Sequence, residues 1–315
     1  MTQDVAGKSA IDGVLLLDKP KGVTSNAALQ RVKRLLGAKK AGHVGTLDPM
    51  ASGLLPICLG EATKFSGYML AADKAYAAQV LLGATSTTGD AEGEITSRSP
   101  VNVTQEQLEG VIGQFLGDIM QIPPMYSALK RDGKPLYAYA RAGETLDIPP
   151  RKVSIRAISM TEFAPPSFCI TVRCSKGTYI RVLAEDIGRA LGCGGMLTGL
   201  RREGVGGYDL STSVAMDTLE SLTVEQRRLR LMPTDGLVLA LPELTLDDAS
   251  ARLISTGRRV SMEAFSGLHR LYRLNGRFLG LGEVLAGELV PKRLMADFSA
   301  EIESAQSIPQ ATKNA

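Results

Sequence analysis

The stretch Gly42-His43-Val44-Gly45-Thr46-Leu47-Asp48-Pro49-Met50-Ala51-Ser52-Gly53-Leu54-Leu55-Pro56 holds the side chains best placed for chemistry. Its glycines permit tight backbone paths and close approach to a ligand. Pro49 pushes Asp48 out of the helical region, towards an extended conformation. Such a segment can hold one carboxylate in a defined direction. The competing reading makes Asp48-Pro49 a turn and the glycines its punctuation. A carboxylate-nucleophile hydrolase such as a glycosidase usually needs a second acid at a defined separation. No Asp or Glu stands beside Asp48 in this stretch, and Glu61 and Asp90 are the candidates for that part. His43, whose ordinary pKa lies near neutrality, is a tempting acid–base group.

Other chemistries find little support. The four cysteines, Cys58, Cys169, Cys174 and Cys193, form no C-x-x-C pair, and a chain of this length does not need disulfides. With only His43 and His269 as histidines, no zinc site follows from local spacing. G-x-S-x-G, Walker A and G-x-G-x-x-G motifs are absent. Nucleotide cofactors thereby lose their best local evidence.

The elements around the stretch read as follows. Gly13–Asp18 is a short buried strand ending in the turn Lys19-Pro20-Lys21-Gly22. Thr24-Ser25-Asn26 supplies N-cap chemistry for a helix whose buried positions are Leu29, Val32, Leu35 and Leu36, stopped by Gly37. Residues 41–60 read as a long structured loop, because Pro49, Gly53 and Pro56 interrupt any helix. Residues 74–82 alternate in part, as a strand does, and residues 85–93 read as loop with a turn at Asp90-Ala91-Glu92-Gly93. Thr104-Gln105-Glu106-Gln107 is a capping box. Val153–Pro165 and Phe168–Cys174 are two further strands, and Ile180, Leu183, Ala184, Ile187 and Leu191 mark an amphipathic helix. Residues 211–240 are helical and connecting material. Beyond them come a short capped helix near Asp247-Asp248 and a hairpin at Asn275-Gly276. Without strict βαβ alternation the fold class is α+β, with a mixed or antiparallel sheet and flanking helices.

Length and composition set the frame. The 315 residues suggest about two domains, and 44% hydrophobic with 22% charged residues is ordinary globular composition. No apolar run approaches the ~18 residues of a membrane span, and MTQDVAGKSAIDG lacks the layout of a signal peptide. The expected address is the cytoplasm. Net charge is only +3, but basic residues cluster. Lys130, Arg131, Lys134, Arg141, Arg151, Lys152 and Arg156 are opposed only by Asp132, Glu144 and Asp147 between Met125 and Met160. Arg31, Lys33, Arg34, Lys39 and Lys40 form a second group. Such patches suit a phosphate backbone, and each alone is equally compatible with a solvated face.

The segment Gly42–Lys64, GHVGTLDPMASGLLPICLGEATK, resembles the signature of the TruB family, the bacterial tRNA pseudouridine-55 synthases. Further matches follow in the same order: Lys74-Ala75-Tyr76, Gln121–Lys130 (QIPPMYSALK), Cys174–Arg181 (CSKGTYIR) and Leu200-Arg201-Arg202. The resemblance covers residues 11–210 well and the remainder weakly. It implies isomerisation of a uridine in the T-loop of tRNA: the C1′–N1 bond breaks, the uracil turns, and C1′–C5 forms. With no redox step or hydrolysis, the resemblance implies no metal and no organic cofactor. It implies that Asp48 is the nucleophile, at ribose C1′ or at C6 of the base, and an ordinary aspartate is already ionised at pH 7. Tyr76 is implied to stack on the base, Arg181 to pair with Asp48, and Tyr179 and Leu200 to line the base pocket. Asp90 is a candidate for ordering Arg181. His43 is implied to displace and hold the flipped nucleotide rather than to carry protons, because a base buried in a folded loop must be extruded first. Lys19 and Lys64 are implied to support the site or contact RNA.

Residues 1–240 are expected to form the catalytic domain, with an RNA-contacting insertion near 125–152. In the family this insertion is mobile and closes on the stem-loop. Its candidate contacts are Lys130, Arg131, Lys134, Arg141 and Arg151, with Arg201 and Arg202 beyond it, and tyrosines interleaved with basic residues suit unstacked bases. Residues 241–300 resemble a PUA-type RNA-binding domain that grips the acceptor arm through Arg258, Arg259, Lys292 or Arg293, and residues 301–315 read as a flexible tail. The expected partner is the tRNA T-arm, with no membrane and no protein partner, and the expected state is a monomer. The alternative is a non-catalytic tRNA-binding or tRNA-folding protein on the same scaffold. The presence of Asp48, Tyr76 and Arg181 together argues against it.

Overall fold

The computed structural model describes residues 11–296; the expected tail at 301–315 lies outside them. The mixed α+β class holds. The chain builds β1 (Gly13–Lys19), α1 (Ser25–Leu36), β2 (Ala41–His43), β3 (Ala51–Leu59), β4 (Lys74–Leu82), α2 (Gln105–Gly113) and β5 (Gly117–Gln121). Next come β6 (Arg151–Ala164), β7 (Ser167–Cys174), α3 (Ile180–Ala190), β8 (Gly195–Val205) and β9 (Val214–Ala215). The order across the large sheet is β9-β1-β3-β8-β4-β7-β6-β5, with β2 pairing β3 off this path. The β1–β9 and β3–β8 pairs are parallel, and the rest of that path is antiparallel.

Helix boundaries follow local chemistry. Thr24 accepts from the Ala27 amide at the start of α1, and Gly37 closes the helix in the left-handed region with φ 66°. Thr104 and Gln107 complete the capping box of α2. Strand β1 is buried on both faces. Leu15 and Leu17 pack with Leu29, Val32 and Leu36 of α1, while Val14 and Leu16 face Leu54, Cys58 and Phe65. Helices α2 and α3 cover β4 and β7 through Leu108, Leu183 and Ile187 against Val80, Phe168 and Ile170. Each such buried aliphatic contributes about 1.5–3 kcal/mol relative to exposure.

Two expectations fail here. Residues 41–60 are not one loop: β2 and β3 occupy most of them, and β3 lies inside the sheet between β1 and β8. Its residues Gly53 and Pro56 mark edges and close approaches elsewhere, but here both neighbours accept them. Strand β8, between β3 and β4, has no counterpart in the sequence reading, because its run GMLTGLRREGV carries Thr198, Arg201, Arg202 and Glu203 where a central strand is usually apolar.

A second, five-stranded sheet follows: β10 (Glu243–Leu246), β11 (Val260–Ser261), β12 (Gly267–Arg273), β13 (Phe278–Leu285) and β14 (Glu288–Leu294), in the order β10-β12-β13-β14-β11. Helix α4 (Asp248–Ser255), capped by Asp247, packs Ala251 and Ile254 onto it. Leu281, Leu268 and Phe278 of this unit enter the same apolar cluster as Phe65 and Leu54, with Phe65 and Phe278 5.5 Å apart. Among the described residues no helix is long and apolar enough to cross a membrane.

Candidate active site

The turn that carries Asp48 is fixed by its own backbone. Ser25 Oγ accepts from the Leu47 amide at 2.8 Å and donates to the Leu47 carbonyl at 2.9 Å. The Gly22 amide donates to Pro49 O at 2.7 Å, Ala51 N to Asp48 O at 3.1 Å, and Val44 N to Pro56 O at 2.9 Å. Ser25 reads in the sequence as capping chemistry; its side chain instead ties the start of α1 to the aspartate turn.

Asp48 meets Arg181, whose Nε lies 3.1 Å from Asp48 Oδ2 and 3.4 Å from Asp90 Oδ2. The same guanidinium donates to Thr88 O at 2.9 Å and to Tyr126 O at 2.8 Å. Asp90 is buried and held by Thr88 Oγ1 at 2.6 Å and the Glu92 amide at 3.0 Å. Its turn is anchored on β8, where Ala91 N donates to Leu197 O and Leu197 N to Gly89 O. Arg181 stands on the first turn of α3. The N-cap of that helix, Tyr179, makes no side-chain cap bond, and Gln121 replaces it by bonding both the amide and the carbonyl of Tyr179, at 3.0 and 3.2 Å. Burial raises the Asp48 pKa above the ordinary carboxylate value, Arg181 opposes that rise, and Asp90 adds to it. With 36% of its side chain exposed, Asp48 opens into a cavity of about 660 Å³.

That cavity also takes in Tyr76, Tyr179, Leu200, Arg151 and Arg202. Tyr76 faces Arg202 across the β4–β8 ladder, and burial raises its hydroxyl pKa while Arg202 lowers it. Of the residues implied by resemblance, Asp48, Tyr76, Arg181, Tyr179 and Leu200 therefore converge on one space. His43 stands outside its lining, in β2 opposite Ile57. Its Nδ1 is buried without a hydrogen-bond partner, and burial followed by the nearby Arg202 lowers its pKa, which keeps the ring neutral at pH 7.

Three basic residues are engaged by the protein itself, and of these Arg202 departs from its expected RNA contact. Lys19 is fully buried, donates to Pro20 O at 2.9 Å and Val23 O at 2.6 Å, and has its pKa lowered by burial to about 8. Its ammonium braces the turn before α1. Lys64 binds Glu61 at 2.5 Å and the Leu294 carbonyl at 3.1 Å, so it joins the two sheets rather than a substrate. Arg202 is buried, with Nε on Leu54 O at 2.7 Å and Nη2 on Gly45 O at 3.1 Å, so these donors serve the protein's own carbonyls and not a surface phosphate contact. Arg201 remains partly exposed beside Asp18 and Ser52.

Lys130, Arg131, Arg141 and Arg151 are exposed. Between them a hairpin (Lys130–Arg131 with Lys134–Pro135) leads to the helix Leu136–Arg141. Lys134 lies over the Tyr139 ring at 4.1 Å and Arg141 over Tyr137 at 5.4 Å. Lys74, Lys176 and Thr178 also line the cavity. They stand inside the Lys74-Ala75-Tyr76 and CSKGTYIR motifs, where residue type alone assigns them no task. Arg259 and Lys292 of the second sheet pair with Glu288 and Glu283 at 3.1 and 2.7 Å.

Gly53 shows how tightly the site is built. It sits at φ +106°, and a Cβ there would lie 2.2 Å from the Arg202 carbonyl oxygen. Gly53→Ala is expected to destabilise the fold by at least about 2 kcal/mol. Urea denaturation checks this, and an unchanged midpoint would contradict the close approach.

Comparison with known proteins decides the family. Residues 33–180 match the model described as TruB family pseudouridylate synthase (N terminal domain). Residues 181–239 match the tRNA pseudouridylate synthase B C-terminal domain, and residues 242–295 match pseudouridine synthase II TruB, C-terminal. A Methylobacillus flagellatus protein named tRNA pseudouridine synthase B is 54% identical over 291 residues, 91% of this chain and 96% of that protein. The chain belongs to the TruB family of pseudouridine synthases. An Azoarcus relative of the same name is 54% identical over 287 residues, 91% of this chain and 95% of its own. Among solved structures, a Cbf5-Nop10-Gar1 complex matches with TM-score 0.67 and 28% identity, covering 87% of this chain and 79% of that one. The archaeal box H/ACA sRNP Nop10-Cbf5 complex matches with TM-score 0.68 and 25% identity, covering 90% and 86%. Members of the TruB family are isomerases that form pseudouridine, and the α+β core with a β-rich C-terminal unit agrees with these structural neighbours.

Proposed function

We propose that the protein isomerises uridine-55 in the T-arm of tRNA to pseudouridine, with Asp48 as nucleophile. The observation that carries this reading is the Asp48 carboxylate opening into the cavity beside Tyr76 while Arg181 holds it at 3.1 Å. The uridine is extruded from its loop and enters that cavity, stacking on Tyr76 against Leu200 and Tyr179. Extrusion costs a few kcal/mol, which RNA contacts must offset, and His43, at the foot of the aspartate turn, supports the displaced loop as a neutral ring. Asp48 attacks C1′ of the ribose or C6 of the base; the C1′–N1 bond breaks, the uracil turns, C1′–C5 forms, and the bond to Asp48 breaks to return the free carboxylate. The C5–H bond then breaks, its electron pair restores the ring double bond, and N1 ends protonated.

Arg151 and the basic residues of the insertion contact phosphates, with Arg201 at the flank. The second sheet acts as a PUA-like module for the acceptor arm through its exposed basic residues. Residues 1–240 form the catalytic domain and 241–300 this second module, and the protein acts as a cytoplasmic monomer. A non-catalytic RNA-folding role would not require Arg181 to be divided between two carboxylates.

Because C5 loses its hydrogen, a transcript carrying tritium at uridine C5 reports the reaction directly. One tritium per tRNA is expected to appear in water, and none from a transcript whose T-loop target is replaced by cytidine. Release from many positions, or none, would contradict the assignment. Binding is expected to weaken steeply with salt, by about 10³-fold from 50 to 200 mM if six or more phosphates are contacted. A filter-binding salt series checks this, and a flat series would remove the phosphate contacts.

A further inference from the structure

Arg202 is 1% exposed, yet among the described residues no carboxylate forms an ion pair with it. Its guanidinium donates to two carbonyls, Leu54 O and Gly45 O, and Arg202 lies opposite Tyr76 across the β4–β8 ladder. Burying a cation without a counter-charge is costly, and an apolar side chain of similar volume would normally pack the same space with greater stability. Lys19, Lys74 and His43 all feel its positive charge. Packing alone does not account for an arginine here.

What an apolar residue cannot supply is direction. Arg202 stands at the one position of β8 that lies opposite Tyr76 of β4 and Gly53 of β3. It joins three separate pieces of the site: its donors reach the aspartate turn at Gly45 and β3 at Leu54, and it stands opposite Tyr76 on β4. Both glycines of the turn that abut it do so closely. A Cβ on Gly45 would lie 3.3 Å from Nη1, and one on Gly53 would lie 2.2 Å from the Arg202 carbonyl oxygen. The spacing of Gly45 and Gly53 around Asp48 thus makes room for this side chain and its backbone. A guanidinium has no acceptor, so towards Arg202 the Tyr76 oxygen can only accept, which directs the phenol proton to another acceptor.

We infer that Arg202 is a positioning residue for the isomerisation, fixing the Tyr76 phenol and the Asp48 turn in one register and setting the direction of the Tyr76 hydroxyl. The inference rests on the function proposed above. The Arg202 donors are held by Leu54 O and Gly45 O at the cavity wall, and Arg202 acts through Tyr76 and the turn.

The test compares single-turnover pseudouridine formation and tRNA affinity for the unaltered protein, Arg202→Lys, Arg202→Met, Tyr76→Phe and the Arg202→Lys/Tyr76→Phe double variant. A small misplacement of reacting groups costs on the order of 10²-fold. Arg202→Met is accordingly expected to lose about that factor in rate. Arg202→Lys, which keeps the charge and a donor, is expected to recover about tenfold of it. Affinity should stay within about threefold for both. In the Tyr76→Phe background the Arg202→Lys change should cost much less than it does alone, because the hydroxyl it orients is gone. Should the methionine variant fail to fold, the lysine cycle decides the matter. Equal losses in both backgrounds, or rates near that of the unaltered protein, would overturn the inference. So would losses that track the folded fraction by melting and vanish when rate is scaled to it. No product from the unaltered protein would overturn this inference and the proposed function together. Normal product from both the unaltered protein and Arg202→Lys would overturn this inference alone.

Discussion

Asp48→Asn is expected to lower pseudouridine formation by at least about 10⁴-fold while tRNA affinity changes by less than about threefold. The substitution keeps the volume and a hydrogen-bond acceptor towards Arg181, and the turn is held by backbone bonds that do not involve the carboxylate: Ser25 on Leu47, Gly22 on Pro49 and Ala51 on the Asp48 carbonyl. Only the charge and the nucleophilic oxygen are lost. Single-turnover assays beside filter binding separate the two effects, and an Asn variant with near-normal turnover would refute the nucleophile. The same residue sets the pH dependence. Its pKa is raised by burial, and the ionised form is the reactive one. The rate of the unaltered protein should therefore fall on the acid side as pH drops through a value above 3.8, the ordinary one. An acid limb at or below that value would show that the carboxylate is solvated in a way the cavity does not allow.

Arg181→Ala is expected to lower the rate by about 10²–10³-fold, and Arg181→Lys by less. The guanidinium is the shared donor for Asp48, Asp90, Thr88 and Tyr126. Without it two carboxylates face the same space with no cation between them, and Asp90, almost fully buried, keeps an unpaired charge. Breaking a buried pair from one side costs about 3 kcal/mol or more, so a lower melting temperature should accompany the loss of rate. The pH profile distinguishes this from simple loosening. Arg181 holds the Asp48 pKa down against burial and Asp90. Removing it raises that pKa further, which moves the acid limb to higher pH. A variant with reduced rate and an unmoved acid limb would leave Arg181 a structural residue or an RNA contact.

Much of this was legible where local chemistry decides the outcome. The capped start of α1 and its glycine stop, the capping box of α2, the paired strands β6 and β7 and the hairpin at Gly276 all follow from short-range patterns. The five residues that meet in the cavity were legible through motif resemblance, because spacing in the chain does not reveal that Asp48, Tyr76 and Arg181 share one space. What was hidden depends on burial of polar groups. Strand β8 is disguised by its arginines, and one of them, Arg202, points inward, where the sequence suggests a phosphate contact. Lys19 is buried in the same way: the sequence leaves open whether it supports the site or contacts RNA, and two carbonyls take its ammonium inside. Gly53 and Pro56 reads as breakers because the neighbouring strands that accommodate them come from far along the chain. Gln121 and Ser25 act through backbone bonds to distant segments, which no periodicity records.

The central claim is that Asp48 acts on one uridine lifted out of the tRNA T-arm, and position-resolved pseudouridine mapping tests it most directly. An unmodified tRNA transcript is incubated with the unaltered protein or with Asp48→Asn, treated with a carbodiimide that marks pseudouridine, and read by primer extension. The account predicts one stop, at position 55, with the unaltered protein and none with Asp48→Asn despite equal binding. A stop at other positions only, or the same stop with both proteins, would contradict it.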